Sequence, residues 1–136
     1  MELGITGTQS GMTEAQFNAL SAFLAHAPFE KIHGGDCIGF DAECIVLVKE
    51  IRPDVKTVGH PPINKSKRAF LEYDELREEK EYIERNHDIV DETEYLIACP
   101  KEDKEILRSG TWATVRYARH QDKTVIIIKP DGTWAA

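Results

Sequence analysis

The sequence predicts an α/β fold: three layers, with a mainly parallel sheet of about five strands between two layers of helices. Three observations lead there. Short apolar runs alternate with helix-like stretches along all 136 residues. Glycine-bearing turns recur at the junctions. Gly7-Thr8-Gln9-Ser10-Gly11 and His33-Gly34-Gly35-Asp36 directly follow an apolar run, Ser109-Gly110-Thr111 lies a little beyond one, and each precedes a helix-like stretch. The run Thr124 to Ile128 is continuously β-branched, which suits a strand buried on both faces of a parallel sheet.

In chain order, Leu3 to Thr6 reads as the first strand. Thr13-Glu14-Ala15-Gln16 fits a capping box, with Phe17, Leu20 and Leu24 at helical spacing behind it, so a helix is expected to about His26. Pro28 stops it and Phe29 to His33 gives the second strand. A helix over Asp41 to Glu50 carries Ala42, Ile45, Val46 and Lys49 on successive turns and ends at Arg52-Pro53-Asp54. Val55 to Gly59 is the third strand. The charged stretch Lys65 to Arg85 is expected to be a solvated helix with i, i+4 ion pairs, irregular over Asn64 to Arg68. Tyr95 to Cys99 is the fourth strand, Thr111 to His120 a helix, and Thr124 to Ile128 the fifth strand. Right-handed crossovers then predict a Rossmann-like layout with the first strand near the middle.

Composition narrows the function classes. The length suits one domain over residues 1–136, and 41% hydrophobic with 30% charged residues is ordinary for a globular protein. A net charge of −7 argues against broad nucleic-acid binding, which needs an electropositive face. No apolar stretch approaches the ~20 residues of a membrane span, and no secretory signal is visible at the N-terminus, so a cytoplasmic location is expected. Cys37, Cys44 and Cys99 are odd in number and lack paired spacing, which favours free thiols in a reducing compartment.

The glycine turns carry the functional signal. At a strand-to-helix turn, glycine lets the backbone approach a ligand, and the free N–H groups of the helix start attract anions. Gly7, Thr8, Gln9, Ser10 and Gly11 form one such turn, and Ser109, Gly110 and Thr111 another, both suited to phosphate. Gly34 and Gly35 form a third. Asp36 beside them is a candidate acceptor for ribose hydroxyls. Asp41 serves equally as such an acceptor or as a helix N-cap. Trp112 suits either base stacking or core packing. His33 and His60 fall at predicted strand ends, but with Cys37 and Asp36 they match no standard metal spacing, so no metal is expected, nor any cofactor.

This order of motifs resembles the SLOG superfamily, Rossmann-like domains related to DNA-processing protein A and to the lonely-guy phosphoribohydrolases. The resemblance runs from Ile5 to Pro130. His33 to Ala42 is similar to the H-G-G-x-x-G-x-D-A segment of small SLOG proteins. Tyr82 to Asn86 stands where lonely-guy enzymes carry M-H-x-R-K, which puts Arg85 at the place of a functional arginine. Ser109 to Thr114 stands where those enzymes carry P-G-G-x-G-T-x-x-E, but Ala113 and Thr114 replace the expected glutamates.

The resemblance implies binding of a nucleotide or nucleotide-derived small molecule, as a sensor or sequestering protein, and a homodimer or larger homo-oligomer. An alternative is N-glycoside hydrolysis or transfer, with Asp36, Asp41 and Arg85 as catalytic candidates replacing the missing glutamate. A further alternative is a protein-interaction module with a vestigial pocket and an acidic helix over Glu72 to Glu84.

Overall fold

The computed structural model describes residues 1–136. The elements run β1 (Glu2–Gly7), α1 (Glu14–His26), β2 (Lys31–Gly34), α2 (Phe40–Ile51), β3 (Lys56–Gly59), β4 (Glu75–Leu76), α3 (Tyr82–Asp91), β5 (Tyr95–Cys99), α4 (Gly110–His120), β6 (Thr124–Ile128) and β7 (Trp134–Ala135). They form one seven-stranded sheet in the order β4-β3-β2-β1-β5-β6-β7. Every pairing is parallel except β6 with β7. The chain works outward from β1 to β4, then returns to place β5 on β1's other side. Chain order therefore reverses between β1 and β5, and the register sets Gly7 against Cys99 at that edge.

The expected layout holds, with two additional strands. β4 and β7 are two residues each, too short to show a period-two pattern. The stretch Lys65 to Arg85 departs most from expectation. Only Lys65–Lys67 makes a short 3-10 turn, and α3 begins at Tyr82. Its charges pair with other parts of the fold rather than along a helix: Lys31 with Glu75, Arg77 with Glu92, and Lys80 with Asp88.

Alternation along the strands sends side chains into two cores. Leu3, Ile5, Ile32, Ile97 and Ile128 pack against α1 and α2, with Leu20, Leu24, Phe40 and Ile45. Leu96, Ala98, Val125 and Ile127 pack on the opposite face with Ile89, Trp112 and Val115 from α3 and α4. Trp112 thus fills core. Phe17 and Val46, read as inward from their spacing, are exposed, and Gln16 turns inward with Leu20 and Leu24.

The capping box at α1 forms as expected. Buried Gln16 extends it by donating Nε2 hydrogen bonds to the carbonyls of Pro100 (2.8 Å) and Ile128 (2.9 Å). This anchors α1 to the ends of β5 and β6. Gly39 caps α2 at φ +88°, and a Cβ there would lie 2.7 Å from the Cα of Gln9. Only glycine combines that conformation with such close contact to the β1–α1 loop. All three cysteines are free and buried.

Candidate functional site

A cavity of about 590 Å³ opens at the C-terminal ends of β1 and β5, where chain order reverses. Open parallel sheets bind ligands at this position. β1 and its loop contribute Thr6, Gly7, Thr8, Gln9 and Ser10, and the start of α4 contributes Ser109, Gly110 and Thr111. α3 adds Tyr82, Arg85, Asn86 and Ile89. Cys37 and Asp41 line it from the turn leading into α2, Asn64 and Lys67 from the segment after β3, and Lys101 and Glu102 from beyond β5.

The first and third glycine turns therefore meet across one cavity. In the first, Thr8 N–H donates to Cys99 O at 3.0 Å, and Thr8 O accepts from Phe40 N–H at 2.9 Å. Thr8 Oγ1 accepts from Ser10 N–H at 3.1 Å. Gln9 N–H has no partner within the chain. In the third, Ser109 caps α4 by accepting from Trp112 N–H at 3.2 Å, leaving the N–H groups of Gly110 and Thr111 unpaired. Free N–H groups at a helix start form an anion-binding surface.

The second glycine turn has another task. Gly34 is enclosed by Ile5 and Ile45. Gly35 lies against the guanidinium of Arg85, where a Cβ would sit 2.6 Å from Cζ and 2.9 Å from Asp41 Oδ2. Gly11, at φ +91°, packs on the carboxylate of Glu43, which accepts from Met12 N–H at 2.7 Å. None of Gly11, Gly34, Gly35 and Asp36 lines the cavity.

Asp36 is fully buried, in the left-handed region at φ +53°. Its carboxylate accepts from Arg68 Nε (2.9 Å), Phe70 N–H (3.2 Å), Leu71 N–H (3.1 Å) and the Tyr73 hydroxyl (3.0 Å). All four donors come from one segment, and they occupy the acceptor sites that a ribose would need. Asp36 thus holds down the strap that brings Asn64 and Lys67 to the cavity rim.

Arg85 is buried at the cavity floor, 6% exposed. Its Nη1 donates to the carbonyls of Gly35 (2.6 Å) and His60 (3.3 Å), and its Nε to Asn86 Oδ1 (2.8 Å). Nη2 has only Cys37 Sγ, at 3.7 Å. The Tyr82 ring lies 5.3 Å from Cζ, and the buried Tyr82 hydroxyl has no hydrogen-bond partner. No carboxylate reaches Arg85 at ion-pairing distance, so its charge is met by neutral groups and, through space, by Asp41.

Asp41 lies in the first turn of α2 and accepts from Cys37 N–H at 3.3 Å. It is not the N-cap, a place taken by Gly39. Burial pushes its carboxyl up to about 6, outweighing Arg85 and the backbone donors at Cys37 and Gly35. The Cys37 thiol is also raised, by burial first and then by Asp41, which opposes thiolate formation.

The Asp41 shift has a stability consequence. Folding raises this carboxyl from 3.8, so the folded state is penalised wherever the group is ionised in both states, that is, above pH 6. The penalty fades as pH falls from 6 toward 3.8 and vanishes below. Asp41→Asn is therefore expected to stabilise the fold by up to about 3 kcal/mol at pH 8 and by nothing at pH 3.5. Urea unfolding at both pH values measures this, and an equal effect at the two would contradict it.

His33 and His60 do not line the cavity, and their rings pair with each other. Asn64, Lys67, Lys101 and Glu102 are cavity residues that the motifs do not reveal, while Tyr82 and Asn86 come from the segment that carries Arg85. Lys101 and Glu102 directly follow Cys99 and Pro100 at the end of β5, and their position just past a parallel strand was the one available signal.

No family model and no curated protein matches this chain. Solved structures do. A molybdenum cofactor binding protein from the phototrophic bacterium Rippkaea orientalis superposes with a TM-score of 0.71 at 20% identity, covering 94% of this chain and 76% of that one. DNA processing protein A from Streptococcus pneumoniae superposes with a TM-score of 0.65 at 13% identity, covering 93% of this chain and 49% of that one. The fold is Rossmann-like. A third structure, the structural genomics target TM1055, has a TM-score of 0.60 at 15% identity over 91% of this chain and 71% of that one. At these identities the likeness establishes the Rossmann-like fold alone. No helix is long and apolar enough to cross a membrane.

Proposed function

We propose that this chain, as one domain, binds a phosphate-bearing, nucleotide-derived small molecule in the cavity between β1 and β5. The observation that carries this reading is the buried, carboxylate-free guanidinium of Arg85 beneath two turns with unpaired N–H groups. Phosphate sits on Gln9, Gly110 and Thr111. Arg85 Nη2 supplies the positive charge, with Lys67 and Lys101 at the rim. The Tyr82 hydroxyl and the amides of Asn64 and Asn86 remain for the heterocycle. One structural neighbour is described as a molybdenum cofactor binding protein, which supports a ligand of the same general kind. A cytoplasmic homodimer acting as a sensor or sequestering protein fits this reading.

A second reading is favoured by Asp41. A buried carboxyl raised to about 6 in a cavity wall can donate or accept a proton at neutral pH, as N-glycoside cleavage requires. It would do so without the glutamate that the related enzymes place after the third glycine turn.

Thermal shift against nucleoside mono- and diphosphates, free nucleosides and molybdenum cofactor tests binding. At least one phosphate-bearing compound is expected to raise Tm, with the corresponding unphosphorylated compound inert. A flat response across the panel would sink the reading. Release of free base, abolished by Asp41→Asn with binding retained, would establish the second.

A further inference from the structure

The sheet face under α3 carries a buried polar cluster separate from the cavity. His33, on β2, is wholly buried, with Nε2 2.6 Å from Glu2 Oε1 and Nδ1 2.8 Å from His60 Nε2. His60, just past β3, is 2% exposed. Glu92, at the C-cap of α3, approaches both rings: Oε1 lies 4.0 Å from His33 Nδ1, and Oε2 lies 4.0 Å from His60 Nδ1. One ligand atom from each of the three residues can be chosen so that all lie within 4.8 Å of one another.

We propose that His33, His60 and Glu92 form a binding site for a divalent transition-metal ion of the zinc type, with Glu2 as the outer carboxylate that orients His33.

The tautomers favour it. A carboxylate accepts only, so His33 must carry its proton on Nε2 to bond Glu2, which leaves Nδ1 as a bare lone pair facing His60. A carboxylate behind a ligating imidazole is the usual outer partner of a metal-bound histidine, and it also strengthens the ligand. His33 therefore offers Nδ1, and His60 offers Nε2 once its proton shifts to Nδ1, the ring nitrogen that faces Glu92.

The distances favour it too. Metal–ligand bonds of about 2.0–2.1 Å place tetrahedral ligand atoms roughly 3.3 Å apart, between the 2.8 Å from His33 Nδ1 to His60 Nε2 and the 4.0 Å from His33 Nδ1 to Glu92 Oε1. Ion binding replaces the single His33–His60 hydrogen bond and draws in Glu92. Arg77 holds Glu92 through Oε1, at 2.7 and 3.1 Å, which fixes the carboxylate while Oε2 has no hydrogen bond of its own. The Glu92 side chain is 34% exposed, so water can reach the fourth position. Two imidazoles and a carboxylate suit zinc or cobalt rather than magnesium or calcium. Since the ligands come from the ends of three separate elements, no short sequence motif marks them.

The test uses the full chain after chelator treatment, titrated with zinc by calorimetry and with cobalt(II) by visible absorption. One equivalent of each is expected to bind, with a raised Tm for zinc. Glu92→Gln and His60→Gln are expected to weaken binding at least tenfold, and Glu2→Gln, which touches no metal, by about 10–100-fold. Glu92 is partly exposed, so its variant reads metal affinity even if the His60 variant fails to fold. Failure to take up stoichiometric zinc, or uptake unchanged in Glu92→Gln, overturns the proposal and leaves the phosphate-site reading untouched.

Discussion

Asp36→Ala is expected to lower Tm by about 10 °C or more. It strands two backbone N–H groups, a tyrosine hydroxyl and the Arg68 guanidinium, all of which converge on one fully buried carboxylate. Removing one partner from a buried charge-assisted network costs about 3–5 kcal/mol. At this chain length each kcal/mol moves Tm by roughly 3 °C. Asp36→Asn keeps the shape and tolerates the left-handed backbone, so its loss is expected to be about half as large. Because the same carboxylate tethers the strap carrying Asn64 and Lys67, Asp36→Ala also weakens a ligand that it never touches. Circular-dichroism melts of the two variants decide the matter. An alanine variant melting within 2 °C of the parent would show that the network contributes little.

Arg85→Ala carries the second large effect. It removes the donors to the Gly35 and His60 carbonyls, leaves Asp41 without its opposite charge, and empties the cavity floor. A loss of about 3 kcal/mol is expected from the unpaired groups alone. Affinity for a phosphate-bearing ligand is expected to fall about 10–100-fold, as a charge-assisted hydrogen bond of 1.5–3 kcal/mol disappears. Arg85→Lys keeps a charge but cannot span both carbonyls and still face the cavity, so it should recover part of the stability and little of the affinity. Melting curves and titration with the best compound of the nucleotide panel separate the two contributions. Undiminished affinity in Arg85→Ala would remove Arg85 from the site.

Much of the frame is legible in the residues because local signals there agree with the final packing. Thr124 to Ile128 becomes a strand with the bounds read from its β-branched run, and Thr13 with Gln16 makes the expected capping box. The first and third glycine turns meet because parallel strands place their following loops at one edge, so topology alone brings Gly7 to Ser10 near Ser109 to Thr111. Asp36 was misleading for a physical reason: an acidic residue after a glycine pair is equally apt for a ribose or for distant backbone donors. The sequence does not show that the donors lie more than thirty residues downstream. The stretch Lys65 to Arg85 misled through its charges, which resemble helical i, i+4 pairs but reach β2, α3 and the α3 C-cap instead. Arg85 stands out in sequence only through the family resemblance. Its burial depends on Gly35, fifty residues away, having no side chain.

The three free thiols give the molecule a built-in labelling experiment. Cys44 and Cys99 are wholly enclosed in the core against α1 and α2, and burial raises both thiols. A thiol reagent reaches them only when that layer opens, so their reaction rate reads the frequency of large-scale opening. Cys37, in the cavity wall beside Arg85, needs only a local fluctuation to react. Reagent kinetics on the unmodified chain should therefore separate into one fast and two slow sites. A compound occupying the cavity would selectively slow the fast one.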